Sequence, residues 1–453
     1  MFPPSGYLFW DDTINSLKSQ QVDIFIKFDS FFRAGTRFPE DYLEVTGKKC
    51  GKYPPPRLVG GGWGYYNEQK SGFQADVLRC EREEKDMKKV IALLLMLAMA
   101  LSLMACGAGE VPNGTQPTAQ TRTVVDALGR EVEIPATVET IVPLGNATRL
   151  CLYLQVQDKF VTINQGDLSD SLFMAYGWAG RDNWTELPIA ASGGYGVFHP
   201  EVILEANPDV IVCTYEADIV ASIEEQTGLP VIAVAQGNLF AADYEQSLRI
   251  LGDVCGASER AEEVISFLNA CLADLDSRTE DIPDGNKPLI LGSAATFRGG
   301  HGIQGVYVDH PVFGAVHAKD AAMGLQKQPF DTGVEVDKEQ ILQWDPEVLF
   351  LDAGNLGLIE AEYADDPAFF EQLKAVKNGN VYQWPNSTAN YTNLEVPLVN
   401  AYYAGTVLYP EAFADVDFGA KAEEIFEFFL GRPGYLEALT ENGLGYGKIT
   451  LGD

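Results

Sequence analysis

Residues 199–212, His-Pro-Glu-Val-Ile-Leu-Glu-Ala-Asn-Pro-Asp-Val-Ile-Val, return without a gap 138 positions later as residues 337–350, Asp-Lys-Glu-Gln-Ile-Leu-Gln-Trp-Asp-Pro-Glu-Val-Leu-Phe. In each copy an acid, Glu201 or Glu339, stands at the start of a short helix, and Ile-Leu supplies its apolar face. Asn207-Pro208 or Asp345-Pro346 stops the helix, because the residue before proline is pushed out of the α region. An apolar run of strand length follows each stop. One such helix-turn-strand unit is ordinary in any α/β chain. Two gapless copies at the spacing of a small domain predict two similar α/β lobes, since a solenoid would repeat every 20–50 residues or about that.

The flanking sequence supplies the rest of both lobes. Residues 122–135 read as a hairpin: Val124-Val125, a turn through Asp126-Ala127-Leu128-Gly129, then the period-two alternation of Glu131 to Ile134. Buried strands are predicted at 139–142, 160–163, 210–213 and 231–234, interleaved with helices at 147–156, 218–227 and 244–255. A second set has strands near 288–292, 305–308, 347–352 and 381–384 and helices near 338–343, 366–376, 396–408 and 419–430. Strands alternating with helices imply mostly parallel sheets. Between the sets, Ser258 to Arg278 predicts one long amphipathic helix, with Ala261, Val264, Ile265, Leu268, Leu272 and Leu275 on one side. The expected organisation is a first α/β lobe at 122–257, a linking helix at 258–280 and a second α/β lobe at 281–453.

Charge is distributed unevenly. The 453 residues carry a net charge of −33, and from Cys106 onward 18 basic side chains face 52 acidic ones. Such a surface repels polyanions and excludes nucleic acid as a partner. It suits a soluble body kept dispersed outside a cell. None of the seven cysteines forms a C-x-x-C pair, and Cys255 and Cys271 are held apart by most of the long helix, so free thiols are expected.

Met87-Lys88-Lys89, an apolar run from Val90 to Leu101 and a small residue before Cys106 form a secretory signal at 87–105. The run is short for a transmembrane span. The ending Leu103-Met104-Ala105-Cys106 resembles a bacterial lipoprotein box, which makes Cys106 the lipidated residue, followed by a flexible Gly/Pro/Thr/Gln tether at 106–121. Because a signal works from a chain's start, residues 1–86, with Pro-Pro-Pro at 54–56 and Gly-Gly-Gly at 60–62, are expected to be upstream DNA read as protein, disordered if made. Glu83-Glu84-Lys85-Asp86 back-translates to a purine-rich ribosome-binding tract. Cys50 to Pro55 and Lys70 to Phe73 back-translate to fragments like those of cobalamin-sensing leaders.

Several stretches together resemble the helix-linked class of bacterial ABC-importer binding proteins that receive iron-siderophores, haem and cobalamin. They are Val124 to Val132, Ile141 to Leu144, the duplicated units, Leu251-Gly252 with Gly256 to Ala261, and Ala404 to Phe413. The resemblance covers about residues 122–432. It implies two Rossmann-like lobes bridged by a single helix, a ligand cleft between them, and no catalysis. Its implied partners are a metal-containing small molecule and an ABC permease dimer with its ATPase; the membrane is reached through the lipid alone. It also implies that glutamates matching Glu201 and Glu339 engage the permease, and that Tyr195, six residues before Glu201, touches ligand. The protein is expected to be a monomer on the outer face of the cell membrane. No resident cofactor is expected, the cargo itself carrying cobalt or iron.

Open parallel sheets bind ligands beyond the carboxyl ends of their strands. Candidate contacts are therefore Asn146, Thr148, Arg149, Tyr195 and Tyr215 in the first lobe, and Phe297, Arg298, His301, Tyr307, Asn355, Trp384 and Tyr391 in the second. For any one of them, loop or rim packing is the competing role. The four histidines, at 199, 301, 310 and 317, lack metal-site spacing, so no direct metal site is expected. There is no G-x-S-x-G, P-loop or H-E-x-x-H motif. A cleft rich in aromatics and poor in arginine suits a corrinoid at least as well as a trianionic catecholate. The competing functions are a sensor or metal-handling lipoprotein without a permease, and an enzyme on the same two-lobed fold.

Overall fold

The computed structural model describes residues 42–45, 48–52, 120–328, 331–387 and 393–452. The chain forms two compact units, Met1–Asn113 and Gly114–Asp453. In the first, strand β1 (Tyr42–Val45) pairs antiparallel with β2 (Lys48–Lys52), a hairpin the sequence reading did not contain. The signal segment and Cys106 lie outside the described residues.

The second unit holds both lobes. In the first lobe, β5 (Ile141–Leu144), β8 (Val210–Cys213) and β9 (Val231–Ala233) run parallel in the order β5-β8-β9. The short parallel pair β6 (Ile163–Asn164) and β7 (Ile189–Ala191) continues beside β5, where Val161 N donates to Ile141 O at 3.1 Å. Every residue of β5, β8 and β9 is buried, as strands covered by helices on both faces require. Helices α1 (Ala147–Tyr153), α2 (Ala175–Trp184), α3 (Pro200–Ala206), α4 (Ala217–Thr227) and α5 (Ala242–Cys255) supply the cover.

The opening hairpin forms as read, with β3 (Thr121–Val125) paired to β4 (Glu131–Pro135). Its turn is a latch. The buried carboxylate of Asp126 accepts from Leu128 N at 3.0 Å, Arg130 N at 2.9 Å, Arg130 Nε at 3.0 Å and Ala233 N at 3.2 Å. Arg130 reaches on to Glu224 at 2.8 Å and Val231 O at 2.7 Å, fastening the turn to the open edge at β9. The Asp-Ala-Leu-Gly-Arg stretch thus closes a sheet edge that would otherwise offer unpaired backbone.

Helix α6 (Ser258–Thr279) is 22 residues long and buries Ala261, Val264, Ile265, Leu268, Cys271 and Leu275. Leu272, assigned to that face from the sequence, sits at its half-buried margin beside Cys271. After it, the second lobe builds a mixed sheet in the order β13-β11-β10-β14-β15-β16 with β12 added beside β10. The strands are β10 (Leu289–Ser293), β11 (Gly305–Tyr307), β12 (Lys319–Asp320), β13 (Gly333–Glu335), β14 (Val348–Asp352), β15 (Val381–Trp384) and β16 (Gly447–Lys448). Its centre, β12, β10, β14 and β15, is parallel; β11 and β16 pair antiparallel with it, and β13 pairs antiparallel with β11. The helix expected at 366–376 is two short ones, α10 (Pro367–Phe370) and α11 (Lys374–Lys377), preceded by α9 (Leu356–Asp365). Pro367 at the first helical position and Asp366, which accepts from Phe369 N, restart the chain there.

The duplicated unit is α3 into β8 and again α8 (Lys338–Trp344) into β14, with Ile203 and Ile341 fully buried. The residue before each proline leaves the helix for the left-handed region rather than the extended one: Asn207 at φ 47, ψ 59 and Asp345 at φ 48, ψ 59. Asn and Asp tolerate that region better than other side chains. The lobes share a core behind the cleft. Helix α12 (Glu395–Leu408) and helix α13 (Phe418–Leu430) pack on α6 and α1, with Phe428 stacked on Phe267 at 4.0 Å and Phe429 edge-on to Tyr153 at 5.2 Å. Arg260 ties three of these helices, donating to Tyr153 O at 3.1 Å and Phe428 O at 2.5 Å. The four described cysteines are buried and free. Among the described residues no helix is long and apolar enough to cross a membrane.

Candidate ligand cleft

The candidate contacts lie in loops at the carboxyl ends of the strands, one wall of loops in each lobe, and the first lobe's Phe173 meets the second lobe's Gly354. A Cβ on Gly354 would lie 3.0 Å from Phe173 Cε2, so a side chain there would push the first lobe's ring away. Phe173 is a contact that the sequence reading missed, because it lies in a loop without periodic signal.

On the first wall, Tyr195 is half exposed, sits edge-on to Tyr215 at 5.2 Å and donates to Glu216 Oε2 at 2.5 Å. Gly193 and Gly196, at φ 91 and 75, shape its loop. Asn146 N donates to Thr214 Oγ1 at 2.9 Å, tying the loop after β5 to the loop after β8. Beneath them, the buried Asp167 accepts from Thr148 Oγ1 at 2.6 Å, Asn164 Nδ2 at 2.7 Å and Tyr176 OH at 2.8 Å. Burial pushes its carboxyl up, against the pull of those donors. Thr148 and Arg149 are fully buried. Burial pulls the Arg149 guanidinium down, but Tyr244, Tyr153, Tyr176 and Glu395 around it more than offset this and hold it above its ordinary value.

On the second wall, Phe297 stacks on His301 at 3.9 Å, and His301 reaches Phe297 O at 2.8 Å and Glu335 Oε1 at 3.1 Å. Arg298, exposed and at φ 51, pairs with Asp331 at 3.0 Å, while Lys327 reaches Asp331 O at 2.5 Å. Asn355 donates to Ala294 O at 2.7 Å and Thr296 Oγ1 at 2.8 Å. Tyr307 and Trp384, read from the sequence as cleft aromatics, are each 2% exposed and belong to the packing beneath the wall. Trp384 stacks on Phe350 at 4.9 Å and Phe313 at 5.2 Å; Tyr307 donates to Asp352 at 3.1 Å. Tyr391 lies outside the described residues.

The structure therefore groups Asn146, Tyr195 and Tyr215 in loops of the first lobe, and Phe297, Arg298, His301 and Asn355 in loops of the second. Glu201 and Glu339 are exposed on the first turns of α3 and α8, and neither makes a capping bond or an ion pair among the described residues. His199 bonds Ser192 Oγ at 2.7 Å and His317 bonds Asp276 at 2.8 Å. Among the described residues no group of three or more His, Cys, Asp or Glu converges on a metal position.

Residues 177–388 match the family model described as periplasmic binding protein. The chain is 25% identical over 312 residues to the probable siderophore-binding lipoprotein YfiY of Bacillus subtilis (strain 168), an alignment covering 66% of this chain and 91% of the relative. Among solved structures it resembles a periplasmic solute binding protein from Veillonella parvula DSM 2008, with TM-score 0.54 and 18% identity over 69% of this chain and 94% of that one. It also resembles an ABC transporter solute binding protein from Sulfurospirillum deleyianum DSM 6946, with TM-score 0.54 and 20% identity over 71% and 98% of the two chains. At these identities the structural likeness shows the fold.

Proposed function

We propose that this chain, whose residues 177–388 match the periplasmic binding protein family model, is the extracytoplasmic binding component of an ABC importer and carries a metal chelate or macrocycle between its lobes. What supports this reading is an aromatic pair in the loops of each lobe, Tyr195 with Tyr215 and Phe297 with His301, together with the approach of Phe173 to Gly354 between the lobes. Flat apolar rings flanked by glycines suit a broad, rigid ligand. The buried core shared behind the cleft restrains opening, so capture proceeds with modest closure. Lipidation of Cys106 holds the protein at the outer face of the membrane.

Two cargoes are supported by different observations. A corrinoid is favoured by the leader-like back-translation of residues 50–55 and 70–73 and by the engagement of Arg298 and Lys327 with Asp331. A ferric siderophore is favoured by the likeness to YfiY. The test is a strain lacking this gene, assayed for uptake of labelled cyanocobalamin and of ferric siderophores, with mass spectrometry of the membrane-bound protein's N-terminus. Loss of one uptake and a diacylated Cys106 are expected. Undiminished uptake of every chelate would end the reading.

A further inference from the structure

We propose that Asp352 is the positioning residue of the second wall, its carboxylate tying three cleft loops into a template that is set before a ligand arrives. The proposal rests on the cleft being the ligand site. Asp352 ends β14 and is fully buried. Its Oδ2 accepts from Thr296 Oγ1 and Tyr307 OH, each at 3.1 Å, and from Asn386 Nδ2; its Oδ1 accepts from Gly354 N at 2.9 Å. Thr296 belongs to the loop after β10, Gly354 to the loop after β14, and Asn386 to the loop after β15. Asn386 and Asn355 also both donate to Thr296 Oγ1 at 2.8 Å, so the loops are cross-linked twice. Phe297 follows Thr296 directly, Asn355 follows Gly354, and Gly354 meets Phe173 across the cleft. One carboxylate therefore sets where the ring, the amide and the inter-lobe contact of this wall stand.

The duplication shows that scaffolding alone does not require a charge. The 138-residue repeat pairs Asp352 with Thr214, which directly follows its strand and also ties the neighbouring loop, accepting from Asn146 N at 2.9 Å. The first lobe makes this join with a hydroxyl. The second buries a carboxylate with four donors and no cation partner among the described residues, an arrangement that desolvation penalises. Burial pushes its carboxyl up to about 6, against the pull of its donors. A side chain kept in a costly state while a neutral one serves the same join elsewhere is the mark of a preorganised site.

The experiment compares full-length wild type with Asp352→Asn and Asp352→Thr by hydrogen exchange, thermal unfolding and titration with cyanocobalamin, ferric trihydroxamate and haemin. Expected are exchange at least tenfold faster in residues 294–301 and 353–355, a thermal midpoint equal to or above wild type, and affinity at least tenfold weaker for whichever chelate the wild type binds. Tyr307→Phe, which removes one donor from the carboxylate, should speed exchange in those loops and weaken affinity to a smaller degree, with a lower thermal midpoint, and serves if the Asp352 variants do not fold. Unchanged exchange in those loops, or unchanged affinity, overturns the proposal. If the wild type binds no chelate, the functional reading fails by itself, and the exchange result still decides the role of Asp352.

Discussion

The Tyr153 hydroxyl of the first lobe donates to Glu395 Oε2 of the second, and Leu394 N donates back to that hydroxyl at 3.1 Å. Both side chains are fully buried, and burial pushes the Glu395 carboxyl above its ordinary range. Tyr153→Phe leaves the carboxylate without its side-chain donor. It should lower the unfolding free energy by about 1–3 kcal/mol, read as a lower denaturant midpoint at unchanged slope. An unchanged midpoint would mean that the lobes are held by the surrounding apolar packing alone.

The two left-handed helix ends should answer differently to glycine. Asn207→Gly relieves the strain of φ 47 and should be neutral or stabilising, whereas Asn207→Ala should cost about 1–2 kcal/mol. Asp345 has the same backbone but also accepts from Lys374 N at 2.9 Å and pairs with Lys374 Nζ at 3.2 Å. Asp345→Gly loses both and should destabilise. Equal effects of glycine at the two sites, in thermal unfolding, would contradict this.

Linkage gives Asp352 and His310 opposite signs. The Asp352 carboxyl is raised from 3.8 to about 6, so the folded state binds the proton more tightly and its cost is present at neutral pH and relieved as pH falls from about 6 to 4. Asp352→Asn should therefore exceed wild type by at most about 3 kcal/mol at pH 7 and converge with it near pH 4. Burial lowers His310 from 6.5 to about 4, so its contribution is full above 6.5 and lost as pH falls toward 4. His310→Phe should flatten that loss. Parallel stability curves for wild type and both variants between pH 4 and 7 would refute both assignments.

Glu201 and Glu339 occupy the same place in the two copies, exposed and unpaired among the described residues. If they dock to arginines of a permease dimer, the double change to alanine should abolish uptake and leave ligand affinity intact. Loss of both together would show that these helix starts serve folding, where a first-turn acid is worth about 0.3–1 kcal/mol.

The fold was legible where one physical signal dominated. The Asn-Pro and Asp-Pro stops, the apolar stripe of Ser258–Thr279 and the Asp126 to Gly129 turn each depend on local chemistry. Helix α2 was not legible, because Gly177 and Gly180 weaken its pattern; Gly180 is there to admit Trp184, whose Cζ2 would lie 2.1 Å from an added Cβ. The walls were only half legible. Tyr195 and Phe297 lie in glycine-flanked loops, but Tyr307 and Trp384 end strands and are buried in the packing beneath them. The Asp352 junction joins residues from 296 to 386 and has no local signature beyond an acid closing an apolar run.

The most direct test of the account is a calorimetric titration of the purified protein with cyanocobalamin, a ferric hydroxamate, a ferric catecholate and haemin, repeated on Tyr195→Ala/Phe297→Ala. Saturable 1:1 binding of one chelate by the wild type is predicted, and binding weaker by about 1–3 kcal/mol, roughly fivefold to 150-fold, in the double variant. No binding of any of the four by the wild type, or equal binding by the variant, would contradict it.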